Sequence, residues 1–380
     1  MTTQDFYLEE VKSKQDLLAF IRFPWQIYKG NPYWVPPLIK DHLSKFSPDH
    51  PFRRHADLML LLAKKKDQIL GRITGIIDRH YVEFHEEKTG FFGFFESIAD
   101  QEVTHALLSG VCDWLRGRGI TKVVGPMNPS TNDECGLLID GFDMSPCLMM
   151  PYNPPYYASF FETFGLKKVT DLYAYWLDAN LLPADRLMRI SQRVQRREPQ
   201  LKIRSLDLRH FDEELRIIKD IYNNAWSKNW GFVPMTEEEI DYLAKTLKPL
   251  VIPELISIAT WGEEPVAFCV SLRDYNQVLK HLNGKIGLLG IFKFLYYSRK
   301  IRTLRVMLLG VKQAFQKRGA DVLLYLEAFR QGVKNGCPQA ECSWILENNL
   351  LMQRGLEGIG GKRYKTYRIY GMPLRERVEV

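Results

Sequence analysis

The segment Gln316-Lys317-Arg318-Gly319-Ala320-Asp321 sets an amide, two cations and a glycine directly ahead of a long helical pattern. An apolar run through Val306, Leu308 and Leu309 leads into it by way of Gly310 and Val311. Strand, basic glycine turn and helix start, in that order, make an anion site, because free main-chain N–H groups and the positive end of the helix dipole converge there. A pyrophosphate is held in such a turn with few side chains. Downstream, Glu341 and Glu347 bracket the apolar run to Leu346. If that strand is regular, both carboxylates share one face, since strand side chains repeat every two residues. One of them then serves as the base that takes a proton from an amine, directly or through water. Ion pairing with a nearby Lys or Arg explains the same glutamates equally well. Asn348 and Asn349 follow, placed either to face a ligand or to cap the next helix.

The elements that must position these groups occur twice. Leu58–Ala63, a charged turn and Ile69–Ile77 read as a hairpin by period and turn chemistry, and Leu255–Thr260, Trp261-Gly262-Glu263-Glu264-Pro265 and Val266–Leu272 read as another. Each hairpin is followed by a strand, a long helix, a buried strand, an Asn (Asn153; Asn349), an apolar helix, a glycine (Gly165; Gly361) and a tyrosine-rich strand. The matched order predicts a duplication, with residues 1–181 as one domain, a connector helix over 182–200 and 201–380 as the second. The halves differ at the glycine turn. In the first, Ser97-Ile98-Ala99-Asp100-Gln101-Glu102 has no glycine and two acids, which repel an anion.

Composition bounds the reading. A chain of 380 residues suits two domains, and 46% hydrophobic with 26% charged residues marks it as globular. The N-terminal residues carry acids and no signal-like apolar core, which predicts a cytoplasmic protein. Six cysteines without a Cys-x-x-Cys pair argue against a zinc site or a disulfide framework, so no metal is expected. The net charge of +7 suits an anionic partner. No nucleic-acid recognition motif accompanies it, and nucleic acid is not the partner expected.

With these residues in place, the block from Arg305 to Tyr370 resembles the GNAT superfamily of acyl-CoA-dependent N-acyltransferases. The resemblance implies an α/β fold of two tandem GNAT-like domains, each a mixed central sheet flanked by helices. It implies acyl-CoA or acetyl-CoA as co-substrate, bound by Gln316, Lys317, Arg318, Gly319 and Ala320, with main-chain groups of Leu309 to Val311 on the pantetheine and thioester, and with Asn349 facing the cofactor. Asp321 stands where the family has Gly or Ala. The helix tyrosine that serves as acid in many members is missing, and Tyr370 on the last strand is the substitute considered, beside a plain core role.

In the first half, Asn128, Asn132, Glu134 and Tyr152 lie on polar loops leaving a buried strand, where an acceptor would bind. Asn128–Phe142, the Tyr152-Asn153-Pro154-Pro155-Tyr156-Tyr157 segment and Ser343-Trp344-Ile345-Leu346-Glu347 resemble bacterial tandem-GNAT proteins that include bacterial ceramide synthases. That narrower likeness implies a long acyl chain and a sphingoid-type lipid amine as acceptor. An insertion over Val278–Arg302, apolar and aromatic from Gly287 on with basic residues at its end, either lies on an anionic membrane surface, walls an apolar pocket or packs under the sheet. The alternatives are a short-chain acetyltransferase of a soluble amine or peptide, and an inactive acyl-CoA or lipid-binding module.

Overall fold

Alternating apolar residues in two long runs, joined by a tight charged turn, pair the chain with itself first. β2 (Ala56–Lys65) and β3 (Gln68–Asp78) are antiparallel in register Leu61↔Ile73, following β1 (Tyr7–Glu10), which pairs with β2. β4 (Thr89–Ser97) joins β3, and β5 (Lys122–Gly125) joins β4 in parallel. A parallel neighbour requires a crossover, supplied by the helix Gln101–Arg116. Its Val103, Leu107, Val111 and Leu115 recur at helical spacing and are buried against Met59, Ile73, Phe92 and Val123. The short strands β6 (Met127–Asn128), β7 (Glu134–Cys135) and β8 (Leu137–Asp140) follow, and then β9 (Lys167–Asp178). This computed structural model describes residues 5–375, without the side chains of residues 184 and 186.

The second run of strands repeats the plan. β10 (Leu201–Ser205), β11 (Ile256–Trp261), β12 (Glu264–Arg273), β13 (Thr303–Val311) and β14 (Gln339–Leu346) lie in the order β14-β13-β12-β11-β10. β13 and β14 are parallel, and the helix Ala320–Lys334 makes the crossover. Helices cover both faces. Leu323, Leu324 and Ala328 pack on Ala267 and Cys269, whereas Ile221 of the helix Phe211–Trp226 packs on Phe268. Successive residues of β12 thus serve opposite cores.

The chain clusters into two compact units that do not follow chain order. One comprises the residues up to Leu172, Val278–Leu295 and those from Lys365 on; the other comprises Tyr173–Gln277 and Tyr296–Tyr364. The last strand, β15 (Lys362–Pro373), explains part of this. From Lys365 it belongs to the first unit, where Tyr370, Gly371 and Met372 pair with Gly125, Val124 and Val123 of β5, and Tyr367 pairs with Leu138 of β8.

Candidate active site

The opening in the second unit starts where a ladder stops. β13 and β14 pair from Thr303↔Gln339 to Val306↔Cys342, and there the pairing ends. β13 runs on to Val311 and β14 to Leu346. A bulge marks the departure point: Val270 faces Leu308 and Ser271 faces Val306, leaving Met307 as the extra residue. Met307, Leu308, Leu309 and Val311 are half-buried, in contrast to the fully buried Thr303–Val306. Leu309 and Val311 therefore stand on a strand whose β14-facing main-chain groups have no ladder partner. Buried main-chain groups require one, and an extended ligand with amides of its own supplies it.

The turn beyond β13 is held from behind. Lys312 bridges Asp220 and Glu264 at 2.9 and 3.4 Å, and the main-chain N–H of Gln313 donates to Asn224 Oδ1 at 2.8 Å. Gln316, Lys317 and Arg318 are exposed, and the Arg318 guanidinium lies over the Trp261 ring at 4.8 Å. Gln316 Nε2 donates to the Val311 carbonyl at 3.4 Å. Gly319 is the N-cap of the helix Ala320–Lys334, at φ +90, and no side chain caps the helix. Its first N–H groups thus remain for a ligand. An ideal Cβ on Gly319 would fall 2.7 Å from Val194 of the helix Ala184–Arg197, so the position admits only glycine without movement of Val194.

The first unit has the same parts, filled by its own chain. β4 pairs with β5 only from Thr89 to Phe91, and β4 also carries a bulge, with Phe94 at φ +47. There Asn128 Oδ1 accepts the Phe94 N–H at 2.6 Å, and the Met127 carbonyl lies 1.5 Å from where a Cβ on Gly93 would be. Asp100 caps the helix Gln101–Arg116 by accepting from the N–H groups of Glu102 and Val103 at 2.9 and 3.3 Å. A carboxylate occupies the place an anion would take. The gap and the helix end are both closed.

Of the two glutamates, Glu341 is fully buried. It faces Arg305 Nε at 4.0 Å across the parallel ladder and accepts hydrogen bonds from the Ser343 and Tyr364 hydroxyls. Glu347 lies one residue past the end of β14 and is half-buried. Glu341, Cys342 and Ser343 are buried in succession, as on a strand covered on both faces. Asn349 caps the helix Leu350–Gly358, its Oδ1 accepting the Met352 N–H at 3.2 Å. Gln353 closes the same corner on the Leu346 and Glu347 carbonyls at 3.1 and 2.8 Å. Tyr370 is a core residue of the first unit, edge-on to Phe161, and donates to Glu162 at 3.0 Å. Burial raises its phenol to about 12.

The chain is 38% identical to protein YghO of Escherichia coli strain K12, covering 94% of this chain and 93% of that protein. It is 35% identical to the bacterial ceramide synthase of Caulobacter vibrioides, covering 98% and 99% respectively. It belongs to the bacterial ceramide synthase-like family of tandem GNAT acyltransferases. A solved tandem GNAT protein from the clavulanic acid biosynthesis pathway covers 97% of the chain with a TM-score of 0.56 at 10% identity, which bears on the fold alone. No protein-family model matches. The protein is thus an acyltransferase by family and has the fold of tandem GNAT proteins.

Within this tandem GNAT frame, the first-half residues named from sequence hold a loop together. Glu134 pairs with Asn128 in the β6–β7 ladder, and the Asn132 N–H donates to Ser130 Oγ at 3.2 Å. Tyr152 donates to the Phe142 carbonyl at 3.0 Å, and its own carbonyl accepts from Tyr28 at 2.9 Å. Sequence reading missed Tyr364, Ser343 and Arg305 around Glu341. Ser343 carried a signal, standing two residues from Glu341 on one strand; Tyr364 carried none, because only the fold brings the start of β15 to it.

Proposed function

We propose that this N-acyltransferase joins a long-chain acyl group from acyl-CoA to the primary amine of a sphingoid-type lipid, at a cytoplasmic membrane surface. The observation that carries the reading is the near full-length likeness to a protein named as a bacterial ceramide synthase. The open gap in the second unit, beside a turn with exposed Lys317 and Arg318, supports acyl-CoA binding there. Gly319 and Ala320 offer the helix end, and Leu309 to Val311 the strand edge. The halves are taken to meet in the connector over 182–200.

The thioester supplies an acyl carbon activated toward an amine. Transfer forms a C–N bond, breaks the C–S bond with its electron pair leaving on sulfur, and removes one proton from nitrogen. Glu347 is assigned to take that proton, since it follows the end of β14 and is only half-buried, whereas Glu341 is buried. Glu341 acts from behind, holding Tyr364 and Ser343 through its hydrogen bonds. Main-chain N–H groups around the Met307 bulge are assigned to the developing oxyanion.

The test compares calorimetric binding of palmitoyl-CoA and acetyl-CoA below micellar concentration, followed by mass-spectrometric detection of N-acyl product with a sphingoid base. Tighter palmitoyl-CoA binding and turnover of the lipid amine are expected. Preference for acetyl-CoA with turnover of soluble amines alone would overturn the lipid reading.

A further inference from the structure

The helix Leu288–Ser298 is built the wrong way round for a water-soluble surface. Gly290 is buried and Phe294 and Tyr297 are half-buried, at helical spacing along one side. The opposite side carries Leu288, Phe292 and Leu295, flanked by Leu289, Ile291 and Tyr296. Leu288 is 84% exposed, Leu289 78% and Phe292 71%. A contiguous apolar face of this kind marks an interaction surface. At 11 residues the helix falls well short of the ~20 a bilayer span requires, and no helix among the described residues is long and apolar enough to cross a membrane.

Charge says what covers the face. No Asp or Glu occurs between Asp274 and Asp321, while Lys285, Lys293, Arg299 and Lys300 stand beside or just beyond the apolar face. Lys300 bends back over the Tyr296 ring at 4.1 Å and donates to its hydroxyl at 2.6 Å. The N-terminal approach is rooted in the first unit. Trp25 Nε1 donates to Asn283 Oδ1 at 2.7 Å, and the Ile39 N–H donates to the Gly284 carbonyl at 3.0 Å. Gly284 has φ +83 and no room for a Cβ against the Trp25 ring. Apolar side chains outward, cations at the rim and no acid are the features of an in-plane membrane helix.

We infer that Leu288–Ser298 is an in-plane anchor that seats this enzyme on an anionic phospholipid bilayer, with Leu288, Phe292 and Leu295 in the acyl region and Lys293, Arg299 and Lys300 at headgroup level. The inference deepens the lipid-acceptor reading and rests on it for its purpose, but binding is measured without acyl-CoA or amine. If anchoring fails while lipid amines are acylated, this surface is wrong and that reading stands.

Flotation of the full chain with vesicles of phosphatidylcholine, with and without phosphatidylglycerol, tests it. Binding to anionic vesicles at least ~10-fold stronger than to neutral ones, and weakened by salt, is expected. The double variant Leu288→Glu, Phe292→Glu should lose that binding with unchanged thermal unfolding, since both side chains are exposed. Lys293→Glu with Lys300→Glu should lose the anionic preference. Undiminished binding by the double variant would overturn the anchor. So would absence of binding by the wild type, or a wild-type dimer that the double variant makes monomeric, which would assign the face to a second copy.

Discussion

Gly319 carries two constraints, one from its left-handed backbone and one from Val194 over its Cβ position. Gly319→Glu, the obvious way to spoil an anion site, therefore also pushes on the helix Ala184–Arg197. Gly319→Ala alone should cost about 1–3 kcal/mol, the usual range for a non-glycine residue forced into such a conformation, as read by urea unfolding. A cleaner probe of the donor site is Lys317→Glu, because Lys317 is exposed. It should weaken acyl-CoA binding about 10-fold or more without moving the unfolding midpoint, since a charge-assisted hydrogen bond is worth roughly 1.5–3 kcal/mol. Unchanged affinity by calorimetry would remove this loop from the site. The glutamates separate in the same way. Glu347→Gln should lower kcat ~10²-fold or more with little change in KM, the signature of a lost proton acceptor. Glu341→Gln should also lower the stability, because Glu341 accepts from two hydroxyls beside Arg305 in a buried cluster. Equal loss of stability in both variants would remove the distinction between base and support.

At the scale of elements, two closures separate the halves: the Asn128 bracket across the gap and the Asp100 cap on the helix. Both carry a strand with a bulge and a parallel neighbour that pairs only at its start. In the first half Asn128 reaches across and takes the Phe94 N–H. Asn128→Ala should leave that buried donor unpaired and cost about 1–3 kcal/mol, whereas Asn128→Asp keeps an acceptor and should cost less. Chemical unfolding of the two variants decides it; equal stability of wild type and Asn128→Ala would mean the bracket does nothing. Much of this level was legible in the sequence. Hairpins, crossover helices and the Gly319 helix start are local patterns, set by periodicity and turn chemistry. The side chain at position 128 was noticed as polar and loop-borne. Its bond to Phe94 spans a long stretch of chain and leaves no local trace, so it read as an acceptor contact. The bulges were hidden for the same reason, since a bulge is defined by the partner strand.

For the whole molecule, the composition of the units was the least legible feature. The strand from Lys365 looks like the end of its own half, yet it pairs with β5 and β8 in the first unit, and Lys365 donates to the Met144 carbonyl there. Strand periodicity specifies a face and not a partner. That first unit also holds a buried ionic group with a global consequence. Glu96 accepts from Tyr28 and Tyr157, each at 2.8 Å, and lies 3.8 Å from Arg72; its charge also raises the phenol of the neighbouring Tyr156. Burial raises its carboxyl from an ordinary 4.5 to about 7, outweighing Arg72 and the two phenols. Below pH 4.5 the folded and unfolded chains both keep the proton. Between there and 7 the folded chain alone keeps it, so stability falls as pH rises, and above 7 the full penalty is present. The gap corresponds to at most roughly 3–4 kcal/mol at about 1.4 kcal/mol per pH unit. Urea unfolding of wild type and Glu96→Gln at pH 5 and pH 8 isolates it from other groups that titrate. The difference between the two proteins should shift toward the variant by up to that amount at the higher pH. A difference that is flat with pH would mean that Glu96 is already ionised in the folded chain at pH 5, as an ordinary ion pair with Arg72.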